Sequence, residues 1–192
     1  ADIALVIDAS TSMRAATATG QSKLDAARAA IRTFLGAIAL PADRAALVAF
    51  NETARVLQPL TGDRGALDRS LGRIEVAFHT RTDLALATAA AELARGRPER
   101  PANRPVIVLL TDGLPNPVAE AEVERVAGEV RGAGVTIYTI GLGTDVNDAL
   151  LRRLAGSADG YYASPTGADL DALYGRIAVR LRCPGAVFWG GR

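Results

Sequence analysis

The sequence predicts an α/β fold in which a mostly parallel sheet of six strands, with one antiparallel edge strand, lies between layers of helices. Three observations predict it. Short continuous apolar runs recur along the 192 residues, as in strands buried on both faces. Segments with apolar residues at three-to-four spacing separate most of these runs, as in amphipathic helices. One pair of runs is joined by a connection too short for a crossover, so those two strands form a hairpin.

In chain order, Ile3 to Ile7 is the first apolar run and Asp8 closes it. A helix over Gln21 to Leu40 presents Leu24, Ala27, Ile31, Phe34 and Ile38 on one face, and Pro41 follows as a stop. Ala45 to Phe50 is the second strand; Asn51-Glu52 turns it into a hairpin partner over Thr53 to Leu57. A short helix after Gly62-Asp63 carries Leu67, Leu71 and Ile74, and another runs from Asp83 to Ala94. A loop of Gly, Pro and Arg from Gly96 to Pro105 leads to Val106–Leu110, the strongest strand pattern in the chain. A helix over Val118 to Arg131 ends at Gly132 and Gly134. Val135 to Ile140 is a strand closed by Gly141-Leu142-Gly143; a helix near Ala149–Ala155, a weak strand at Tyr161-Tyr162 and a last helix over Asp169 to Leu181 complete the order. Strands alternating with helices imply right-handed crossovers, hence a Rossmann-like three-layer α/β/α architecture.

Composition narrows the function. The chain is 49% hydrophobic and carries 22 basic against 21 acidic residues, a net charge of +1, which excludes wholesale disorder and a general nucleic-acid binder. Lys23 is its single lysine. Cys183 is its single cysteine, which excludes an internal disulfide, and a free thiol is expected there. No apolar run approaches the roughly 18 residues that span a bilayer. The first residue is not Met and a core strand starts almost at once, so the sequence reads as one domain, 1–182, of a longer protein. Residues 183–192, with Phe188 and Trp189, are expected to be a linker to the rest of that protein or a contact with it.

Ligands of such folds bind beyond the carboxyl ends of the strands. Three polar clusters fall there: Asp8-Ala9-Ser10-Thr11-Ser12 after the first strand, Thr111-Asp112-Gly113 after the strongest, and Thr80-Arg81-Thr82-Asp83 where a helix begins. Alternation in an extended turn puts Asp8, Ser10 and Ser12 on one side. Any one cluster alone reads as helix capping or an ordinary turn. Together they offer hydroxyl and carboxylate oxygens at one mouth, the donor set of a hard cation.

Asp8-x-Ser10-x-Ser12, Thr82 and Thr111-Asp112-Gly113 resemble the metal-ion-dependent adhesion site of von Willebrand factor A-type domains. The resemblance covers Ile3 to about Leu181 and fills all five positions. It implies a six-stranded sheet with the first and fourth strands adjacent at its centre. It also implies one divalent cation, magnesium first and calcium or manganese as alternatives, held by the hydroxyls of Ser10, Ser12 and Thr82. Asp8 and Asp112 would act largely through water and hydrogen bonds. Two departures stand out: Thr11 replaces the glycine often found between the serines, and Thr80-Arg81 replaces a frequent glycine pair.

The expected function is non-enzymatic protein binding, in which the cation takes a Glu or Asp carboxylate from a partner. The isolated domain is expected to be monomeric, with no nucleic-acid or membrane contact of its own, and an extracellular or cell-surface address is favoured. The alternative is a metal-dependent assembly partner of an AAA+ ATPase, like the chelatases. Specificity is expected from a rim of Met13 to Gly20, His79 to Arg81 and Leu114 to Pro117.

Rival readings fit less well. A haloacid-dehalogenase-type phosphatase needs a second Asp where Ser10 stands and a downstream lysine. Gly141-Leu142-Gly143-Thr144 lacks the third glycine of a dinucleotide-binding loop and follows a late strand. His79 and the arginines from Arg95 to Arg104 read as solvated loop residues.

Overall fold

The computed structural model describes residues 1–144, 146–164, 166 and 169–182. Six strands are present: β1 (Asp2–Asp8), β2 (Arg44–Phe50), β3 (Ala54–Thr61), β4 (Pro105–Thr111), β5 (Thr136–Leu142) and β6 (Tyr161–Ser164). The α-helices are α1 (Lys23–Ala37), α2 (Arg64–Leu71), α3 (Thr82–Gly96), α4 (Glu120–Gly132), α5 (Asp148–Ala155) and α6 (Leu170–Arg182). Sheet order is β3-β2-β1-β4-β5-β6, parallel except for β3.

β1 is central because its seven residues are all buried. Leu5 lies opposite Leu47 on one side and Val108 on the other. Strand alternation divides its side chains between the two helical layers. Ile3, Leu5 and Ile7 pack with Phe34 and Leu35 of α1 and Tyr174 and Ile177 of α6. Ala4 and Val6 pack with Leu86 of α3, Ala127 of α4 and Leu154 of α5. Slipping β1 by one residue would exchange these sets, so the register is strongly specified.

Local chemistry sets the boundaries. The Ser22 hydroxyl accepts from the Asp25 amide and starts α1 at Lys23. That helix stops at Ala37, before the expected Leu40, because Ile38 turns extended ahead of Pro41. Asn147 caps α5, and Gly156, in a left-handed conformation, ends it. The hairpin strand β3 runs on past Leu57 to Thr61 through Pro59, which an edge strand with register shifts tolerates. β5 continues through Gly141, where an added Cβ would stand 3.0 Å from the Leu151 side chain.

The amino-terminal edge of the sheet is held by charge. Buried Arg44 donates to both carboxylate oxygens of buried Asp2, at 3.0 and 2.7 Å, and to the Gly96 carbonyl at 2.8 Å. Asn103 adds a bond to Asp2 at 2.7 Å. Burial would raise the Asp2 carboxyl, but the Arg44 and Asn103 hydrogen bonds and the Arg44 charge hold it below its ordinary range. The chain's first residue and the end of α6 lie at this edge too: the Ala1 ammonium meets Asp43 at 2.5 Å, and Arg104, beside β4, donates to the Leu181 carbonyl. The expected 183–192 tail, with Cys183, Phe188 and Trp189, lies outside the described residues.

Candidate metal centre

At the opposite edge the ends of β1 and β4 bring Asp8, Ser10, Ser12 and Asp112 into one chain of hydrogen bonds. Asp8 closes β1 fully buried; one oxygen accepts the Ser10 amide at 2.8 Å and the other the Thr111 hydroxyl at 2.5 Å. Ser10 is extended and opens a 3-10 turn at Thr11–Arg14. This turn brings the Ser10 and Ser12 hydroxyl oxygens to 2.9 Å from each other. The Ser12 hydroxyl donates to Asp112 at 2.6 Å. Thr82 is the first residue of α3 and is buried, sharing a wall with Thr111 and Gly113. It stands beside the chain of hydrogen bonds without joining it among the described residues.

Backbone bonds hold the loops in place. Ala9 donates to the Phe50 carbonyl at 2.7 Å and Ala77 to Ala9 at 3.0 Å. Thr80 and Asn116 exchange two bonds, at 2.8 and 3.1 Å, and Arg81 donates to Asn51 at 2.8 Å. His79 adopts a positive φ of 68° between these ties, an uncommon conformation for a side chain other than glycine. The mouth is an open cleft of about 390 Å³ lined by Ser10, Ser12, Phe78, His79, Leu114 and Asn116, among others.

The electrostatics of the mouth are unbalanced. Burial pushes the Asp8 carboxyl up to about 6, against hydrogen bonds from Ser10 and Thr111, and the nearby Asp112 charge adds to the rise. Among the described residues no cation faces Asp8. Asp83, next to Thr82, is already satisfied by Arg81 at 2.7 Å, whose hydrogen bond holds it below the usual carboxylate range. Asp112 has a cation: its second oxygen accepts from the Lys23 ammonium at 2.7 Å.

The donor set fits a small hard cation. Among the described residues no group of three or more His, Cys, Asp or Glu gathers at one point, so hydroxyls would have to share the coordination. Neighbouring ligands in an octahedral magnesium shell stand about 2.9 Å apart, given bonds of roughly 2.0–2.1 Å. The Ser10 and Ser12 oxygens have that spacing.

Sequence reasoning missed two residues here and misplaced one. Met13, expected on the rim, is fully buried in the core. Phe78, not anticipated, is 71% exposed at the mouth. Lys23 was noticed for its rarity but its partner, 89 positions away, leaves no local signal. The Arg95–Arg104 segment is largely engaged: Arg95 pairs with Glu92, and Arg100 donates to the carbonyls of Pro41 and Ala42.

A mostly parallel sheet between two helical layers, with an oxygen-rich cluster where β1 and β4 end side by side, defines a Rossmann-like α/β/α domain. Residues 2–176 match the von Willebrand factor type A domain, and the chain belongs to that family. It is 31% identical over 205 residues to the UPF0353 protein of Mycobacterium leprae, covering 93% of this chain and 60% of that protein. The chain therefore spans about three-fifths of the length of that relative. A von Willebrand factor type A protein from Catenulispora acidiphila superposes with a TM-score of 0.80 at 23% identity, over 94% of this chain and 42% of that one. Proximal thread matrix protein 1 from the mussel byssus, in a structure with a zinc-occupied MIDAS motif, superposes with a TM-score of 0.77 at 22% identity, over 92% and 44%. At these identities the structural likeness is one of fold. As a von Willebrand factor type A domain, the chain is of a kind that generally serves protein interaction. No helix among the described residues is long and apolar enough to cross a membrane.

Proposed function

We propose that this domain binds a partner protein through a divalent cation, magnesium first, held by Ser10, Ser12 and Thr82 with Asp8 and Asp112 behind them. The observation that carries the reading is the pair of serine hydroxyls at 2.9 Å, one of them bonded to Asp112, on the floor of an open cleft. A structural neighbour with zinc in its MIDAS motif supports a divalent ion at this place in the fold. When bound, such an ion supplies an electrophilic position for one more oxygen donor.

The chain's own residues supply the rest. Ser12 donates its proton to Asp112, which leaves its oxygen to act as an acceptor or ligand. Asp8 fixes the Ser10 backbone and anchors Thr111, so the two strand ends keep their separation. Neutral hydroxyls leave the charge of a dication largely uncompensated, and a Glu or Asp of a partner would complete it. Phe78 and Leu114, two of the three exposed large hydrophobic residues in the described structure, flank the cleft and offer apolar contact to the same partner. Catalysis would need a group placed to move a proton or attack a bound substrate. The cleft offers hydroxyls, amides and the exposed His79, so we read it as a docking site.

The test is a pull-down from the source organism in magnesium, repeated in EDTA and with Ser10→Ala. A partner kept in magnesium and lost in the other two supports the metal bridge. Equal retention in all three overturns it.

A further inference from the structure

The chain has twenty-one arginines and one lysine, and that lysine reaches into the candidate metal centre. Lys23 is the first residue of α1, positioned by the Ser22 cap and by its own amide bond to Ala15 at 2.9 Å. Its ammonium sits 2.7 Å from Asp112, with the lysine side chain 15% exposed and that of Asp112 wholly buried. Gly143 makes the room: it has a φ of +95°, and a Cβ there would stand 3.2 Å from the Lys23 nitrogen. A compact ammonium suits such a slot, where a planar guanidinium would need more width.

Resting on the metal reading above, we propose that Lys23 is a built-in counter-ion that weakens cation binding in the free domain and makes it depend on the partner's carboxylate. Asp112 has both oxygens engaged, one by Ser12 and one by Lys23, and so has little charge left to give a metal. Asp8 and Asp112 bring two negative charges and Lys23 returns one positive, so a dication leaves the site one charge positive. An incoming carboxylate removes that excess. Without Lys23 the two aspartates alone would balance the dication, and the carboxylate would add little. Cation and partner are thereby coupled, each raising the affinity for the other by the same factor.

The experiment measures Mn²⁺ affinity of the whole chain by calorimetry and by the free-ion paramagnetic signal, with and without acetate as the carboxylate probe. Lys23→Met removes the charge; Lys23→Gln removes it while keeping a donor toward Asp112, and circular dichroism checks the fold of each. Both variants should bind Mn²⁺ at least tenfold more tightly than the wild type without acetate, and acetate should strengthen binding to the wild type more than to either. Affinity unchanged within threefold, or weakened, in the variants overturns the counter-ion role while leaving the metal site standing. Absence of binding in all three proteins overturns the metal reading, and this inference with it.

Discussion

Asp2 and Asp8 stand at opposite ends of the same buried strand, and only Asp2 is matched by a guanidinium among the described residues. The two carboxylates have similar burial and opposite circumstances. Arg44 faces Asp2 with two hydrogen bonds and also pairs with Glu99, so that end of β1 is held by an ion-pair network. Asp8 receives the Ser10 amide and the Thr111 hydroxyl, which stabilise a carboxylate without cancelling its charge.

Removing charge at the two ends should therefore have different effects. Arg44→Ala strands a buried carboxylate and should destabilise the domain by about 3–5 kcal/mol. Asp8→Asn in metal-free buffer near pH 7 should leave stability unchanged or raise it, because burial disfavours the ionised carboxylate there. Its carbonyl can keep the Ser10 amide while its nitrogen faces the Thr111 hydroxyl, which can accept. Urea denaturation of both variants checks the contrast; a large loss for Asp8→Asn would make the cluster a structural one.

Asp2 also sets an acid dependence. Its folded carboxyl lies below its ordinary value of 3.8, so its contribution is fully present above that pH and is lost as the pH falls further. The stability gap between wild type and Asp2→Asn should hold constant from pH 7 to about 5 and shrink below about pH 4. Denaturation curves across that range would show it. A gap that widens with acid would contradict the assignment.

Ser10→Ala and Thr82→Ala should abolish Mn²⁺ binding and leave the fold intact, because Ser10 lines the open cleft and Thr82, though buried, is a small residue at the first position of α3. Val108→Asp, by contrast, buries an unpaired charge at the centre of the sheet and should prevent folding. Circular dichroism separates the two classes. Unfolding of Ser10→Ala without metal would refute the division.

Tyr174 offers a gain. Its ring packs edge-on against Phe34, with centroids 5.6 Å apart, and its buried hydroxyl has no partner among the described residues. Tyr174→Phe keeps the ring and removes that oxygen, and should stabilise the domain by about 1 kcal/mol. A loss of stability on thermal melting would mean that the hydroxyl is bonded.

The sheet was legible because strands buried on both faces read as unbroken apolar runs, as in Ile3–Ile7 and Val106–Leu110. β3 was legible only in part: Gln58 and Pro59 interrupt its pattern, and an edge strand tolerates both. The polar clusters were legible because strand ends fall at fixed places in this fold. What sequence could not give was distance across the chain. Lys23 stands out in the sequence only as the single lysine, and its pairing with Asp112 exists only once α1 and β4 share an edge. Met13 follows the serines and looked like rim, but the 3-10 turn sends its side chain inward.

The position of Ser10 relative to Ala1 has a mechanical consequence. Ala1 and Leu181 lie at the edge of the sheet opposite the cleft. Tension between an object gripped at Ser10 and a pull applied at Ala1 would run along β1. That strand is laddered on both sides by parallel neighbours, so the load would fall in shear on many backbone bonds at once, where a pull across the sheet would break them one by one. A grip at Ser10 and a pull at Ala1 would thus share a single strand, loaded along the direction in which its two ladders resist together.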